Sequence, residues 1–102
     1  MIELPPKGFY VHYKHTASGV ANNYMYEIVG SSKDTESETY NVLYRPLYPS
    51  EWRKPAELSS RPLENFLEMV EKDGQTFPRF TRITDPDLIY QLEKVKLEMY
   101  HD

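Results

Sequence analysis

Gly8-Phe9-Tyr10-Val11-His12-Tyr13-Lys14 alternates with a period of two. In an extended chain Phe9, Val11 and Tyr13 fall on one side and Tyr10, His12 and Lys14 on the other, the pattern of a half-buried strand. Pro5-Pro6 before it is a stiff entry that can join neither a helix nor a central strand. Beyond it, Thr16 to Asn23 is small and polar, so it reads as a long, mobile loop. Tyr24 to Val29 then reads as a second strand, setting Tyr24, Tyr26 and Ile28 against Met25, Glu27 and Val29. Turn chemistry over 30–35 leads to a third strand from about Glu38 to Arg45, with Tyr40, Val42 and Tyr44 facing one way and Asn41, Leu43 and Arg45 the other.

Further along, Trp52 centres a short strand over Glu51 to Lys54, stopped by Pro55. Leu63, Phe66, Leu67 and Val70 stand at helical spacing, whereas Asp73-Gly74 is a strong hairpin signal. The favoured reading is a short helical turn over Pro62 to Phe66, followed by a hairpin across Asp73-Gly74. Thr84-Asp85-Pro86-Asp87 opens the best helix in the chain, with Thr84 or Asp85 as the cap and a proline in the first turn. Leu88, Leu92, Val95 and Met99 make its apolar stripe, which needs either the sheet or a second chain as its partner.

The bulk properties set limits. With 102 residues the chain has room for one modest core. At 39% hydrophobic and 27% charged it is neither a membrane span nor a disordered tail. Cysteine is absent, which removes disulfides, thiol catalysis and thiolate metal sites and fits a reducing compartment. The first six residues carry no basic stretch followed by an apolar run, so no signal peptide is read and a cytoplasmic location is expected. A net charge of −4 argues against a general DNA-coating role.

Several of these segments occur together in one bacterial family. Tyr10-Val11-His12-Tyr13-Lys14, Thr35-Glu36, Val42-Leu43-Tyr44-Arg45-Pro46-Leu47-Tyr48, Trp52 with Pro55, and Pro78-Arg79-Phe80 follow one another in its order. On these motifs the chain resembles the domain of unknown function 1653 family over about Gly8 to Ile83. The resemblance implies a small, strongly bent antiparallel sheet, an SH3-like, partly open barrel, and brings no established activity. The chain departs from it at the long loop from His15 to Asn23, at Asp34 where the family carries a histidine, and in a C-terminal helix beyond the usual end. The expected architecture is therefore mainly β (α+β): a small β-barrel-like domain over 1–84, and an amphipathic helix over 85–102 packed on it or on a partner chain.

Chemistry-bearing residues are few. His12 and His15, three apart on a strand, point to opposite faces, and zinc wants three or four converging ligands, so no metal and no cofactor is expected. Asp34, Glu36 and Glu38 would share a strand face, more often a charged edge than an acid–base pair. No serine lies in a nucleophile elbow and no glycines form a phosphate cradle. The informative set is aromatic and polar: Tyr10, His12, Lys14, Glu36, Tyr44, Arg45, Trp52 and Arg79, with Tyr48 and Phe80 beside them. Such residues either fill a small barrel or form a recognition rim. Tyr44 and Arg45, as strand neighbours, share that rim only if a bulge re-aims one of them. The expected role is a non-catalytic binding module for a peptide, protein or small ligand. Single-stranded nucleic acid is the alternative, and an enzyme using His12 and Glu36 the second alternative. No membrane partner is expected, and residues 86–100 offer a surface for a homodimer.

Overall fold

The computed structural model describes residues 3–19, 22–48 and 58–100. Among these residues seven strands and two helices follow one another: β1 Gly8–His12, β2 Met25–Lys33, β3 Tyr40–Pro46, β4 Ser59–Pro62, α1 Leu63–Phe66, β5 Met69–Lys72, β6 Gln75–Pro78, β7 Phe80–Arg82 and α2 Pro86–Tyr100. Five strands form an antiparallel sheet in the order β4-β3-β2-β1-β7, and β5 pairs with β6 as a separate hairpin. The fold is mainly β with a C-terminal helix. The sheets are open and do not close into a barrel.

Period-two alternation divides the core into two layers. Phe9 and Met25 go to one face, where Leu47, Ile83 and Leu92 complete a cluster joined by Val11, Leu88, Ile89 and Val95. Tyr10, Ile28 and Val42 go to the other, packed with Phe66 and Phe80 and flanked by Tyr26, Tyr44 and Leu63. A sheet with two apolar faces needs a cover on each. Leu88, Ile89, Leu92 and Val95 of α2 pack against the first. Asp85 caps that helix: its Oδ1 accepts from the Asp87 N–H at 3.1 Å, and its carbonyl accepts from the Ile89 N–H at 2.9 Å. Glu27, on the same face, takes Arg45 Nε on one oxygen at 2.7 Å and Lys96 Nζ on the other at 2.9 Å. Arg45 in turn lies 4.0 Å above the Tyr100 ring, whose hydroxyl donates to the Pro46 carbonyl.

The turns follow their residues. Asp73 (φ 53°) and Gly74 (φ 77°) both adopt positive φ, as a two-residue hairpin of this kind demands, and join β5 to β6. The short helix α1 precedes that hairpin, as the sequence suggests. The β2–β3 connection corrects one expectation. Asp34, Glu36 and Glu38 are exposed turn residues and share no strand face. Asp34 Oδ1 accepts from the Glu36 N–H at 2.9 Å and the Ser37 N–H at 3.3 Å, and these bonds hold its carboxyl below the usual aspartate range. After β1, the Asn23 side chain accepts from the Thr16 N–H at 3.0 Å and donates to the Thr16 carbonyl at 2.7 Å, tying the described ends of the long loop together.

Candidate binding site

The second face carries a continuous chain of rings. Phe66 stacks on Phe80 at 4.5 Å with the planes 11° apart, and Tyr10 meets Phe66 edge-on at 5.6 Å. Phe80 also lies 5.9 Å from Tyr26 and 6.2 Å from Tyr44, which contact each other edge-on at 5.3 Å. Tyr48 extends the chain, its hydroxyl 2.9 Å from that of Tyr26. Burial, with that hydroxyl contact, pushes the Tyr26 phenol far above the ordinary tyrosine range. Cross-strand register explains the gathering: Tyr10 pairs with Tyr26, Ile28 with Tyr44, and His12 with Phe80, so these side chains share one face.

His12 sits among these rings at only 5% exposure. It stacks on Tyr24 at 5.6 Å, lies 4.6 Å from Tyr13, and meets Phe80 edge-on at 4.9 Å. Its Nδ1 accepts from the Lys14 N–H at 3.2 Å, which leaves the proton of the neutral ring on Nε2. Burial, reinforced by the positive charges of Arg61, Arg79 and Lys14, lowers its pKa to about 4. At neutral pH His12 is therefore an uncharged donor.

Two arginines complete the face. Arg61, on β4, places its guanidinium 5.2 Å from the Phe80 ring centre and 5.8 Å from that of Tyr44. β4 and β7 are opposite edges of the sheet, so a cation on one edge standing over a ring on the other shows how strongly the sheet curls. Arg61 donates to Asn65 Oδ1 from α1, and its buried Nε has no hydrogen-bond partner among the described residues. Arg79 lies 6.0 Å from the Tyr13 ring and pairs with Glu68 at 3.0 Å, its Nε also buried with no hydrogen-bond partner among the described residues. Beside the rings, a groove of about 380 Å³ runs past Pro5, Pro6, Tyr10, Phe66, Pro78 and Phe80. A second, of about 310 Å³, opens past His12, Tyr13, Lys72 and Phe77.

Of the residues singled out in the sequence, Tyr10, His12, Tyr44 and Arg79 are brought together here. Lys14 is exposed at the margin. Arg45 is not in the set: the bulge of the sheet falls in β2, between Ile28 and Gly30, and leaves Tyr44 and Arg45 on opposite faces of β3. Glu36 is not in it either. His12 lies beside the start of β2 and Glu36 beyond its end, so the length of that nine-residue strand lies between them. Trp52 and its expected strand over 51–54 lie outside the described residues. Arg61 and Asn65 were hidden, because their place depends on which strand lies beside β3. Among the described residues no group of three or more His, Asp or Glu is arranged to hold a metal ion. No helix among them is long and apolar enough to cross a membrane.

Fold and face thus define a small, strongly curled antiparallel β domain with an aromatic concave surface. The chain belongs to the family described as protein of unknown function (DUF1653), which matches residues 8–82. No curated protein and no solved structure matches it.

Proposed function

We propose that the chain is a non-catalytic binding module that recognises a peptide or small ligand on the aromatic, cation-bearing face of its curled sheet. The observation that carries this reading is the state of the rings. Tyr13, Tyr24, Tyr26, Tyr44 and Tyr48 are only half-buried, yet they are fixed by ring–ring contacts and flanked by Arg61 and Arg79. Rigid half-exposed tyrosines lose little conformational entropy on binding, and arginine beside them supplies directional hydrogen bonds. The separation of His12 from Glu36, and a His12 pKa lowered to about 4 and so well away from neutral pH, give no support to the pair as acid–base machinery.

Chemical-shift mapping of the labelled chain against peptide and fragment mixtures tests the proposal. Saturable shifts should cluster on His12, Tyr13, Tyr44 and Arg61. Shifts confined to the outer side of α2, around Tyr90 and Leu97, would reject it. Arginines over rings also suit single-stranded nucleic acid, whose bases stack on such platforms. The net charge of −4 weighs against that alternative, and it would show itself as binding that weakens steeply with salt.

A further inference from the structure

Among the described residues Arg61 is a cation without an anion. It is half-buried over Phe80 and Tyr44, and no carboxylate among the described residues pairs with it. Its contacts are the neutral Asn65 amide and two ring faces, which compensate a desolvated guanidinium only in part. The chain has acids to spare, 16 against 12 basic residues, and uses them elsewhere: Glu27 serves Arg45 and Lys96 on the opposite face, and Glu68 serves Arg79. His12, close enough to feel the Arg61 charge, is itself uncharged, so it offers Arg61 no repulsion and can donate a hydrogen bond of its own.

We infer that Arg61 is the anchor of this face and that the ligand is an aromatic carboxylate, its charged group on the guanidinium and its ring against the cluster around Phe80. The inference rests on the binding-module reading and names its ligand chemistry. A single guanidinium fork matches one carboxylate, through two parallel hydrogen bonds. A polyanion fits less well: Glu64, Glu68 and Glu71 stand in sequence among the basic residues that contribute to this face, and the net charge of −4 repels negative charge.

The test compares benzoate with its neutral isostere benzamide, titrated into the full chain and followed by NMR. Benzoate should shift His12, Tyr44 and Phe80 saturably and bind at least roughly tenfold more tightly than benzamide, as expected for a charge-assisted pair. Arg61→Met, which keeps the stem and removes the charge, should abolish that preference. Arg61→Lys, which keeps charge without the fork, should weaken benzoate binding severalfold. Should Arg61→Met fail to fold, the comparison of the two ligands on the wild-type chain still decides. Equal binding of benzamide and benzoate at this face overturns the carboxylate anchor and leaves the binding module standing. Binding of neither, while peptide mixtures bind the same rings, also overturns it. Benzoate binding that Arg61→Met leaves unchanged places the anion elsewhere, and salt-sensitive binding of a single-stranded oligonucleotide at these rings, with neither small ligand bound, hands the face to nucleic acid.

Discussion

Backbone and charge at single residues set several measurable properties. Gly74 sits at φ 77° with open space where a Cβ would stand, so the cost of Gly74→Ala is purely conformational. It should lower stability by about 1–2 kcal/mol in denaturant unfolding, the usual penalty of the left-handed region for an L-residue. His12 makes stability pH-dependent. The unfolded chain binds the imidazole proton near its ordinary pKa of 6.5, the folded chain only near about 4. Between those values the unfolded state holds more protons, so stability falls as pH is lowered from 6.5 towards 4 and the contribution flattens below that. Thermal melts of wild type and His12→Gln across this window should converge on acidification. A constant difference would mean that His12 titrates normally. Asp73-Gly74 was legible as a hairpin because that pair tolerates the positive φ that a two-residue hairpin turn demands. The neutral state of His12 was not legible, since it depends first on burial among rings from several strands and then on cations, two of them from distant parts of the chain.

At the level of elements, the C-terminal helix is fastened by packing and by ions. Leu92 is fully buried against Phe9, Met25, Leu47 and Ile83. Leu92→Ala should cost about 2–5 kcal/mol, read as a lower denaturation midpoint with an unchanged slope. Glu27→Gln removes the carboxylate shared by Arg45 and Lys96 and leaves both cations beside a neutral amide. A loss of about 2–4 kcal/mol is expected, below the top of the range for broken buried pairs because Lys96 still reaches water. The helix, its proline start and its stripe could all be read from the sequence, because they rest on local spacing. Glu27 as its anchor could not be read, for alternation placed Glu27 on a strand face without saying what would lie above it.

For the molecule as a whole, alternation in β1, β2 and β3 divides each strand's side chains between two faces, and the pairing register through β2 is what sets Tyr44 on the face of Tyr10 and His12. What alternation cannot convey is curvature and strand order. These bring Arg61 from one sheet edge over Phe80 on the other, and they strand Glu36 in a turn far from His12. The most direct measurement of that closure is the NMR titration of the His12 imidazole in wild type and in Arg61→Met. A wild-type midpoint near about 4, moving upward when the Arg61 charge is removed, is the expected result. A midpoint near the ordinary 6.5, indifferent to Arg61→Met, would contradict the curled aromatic face.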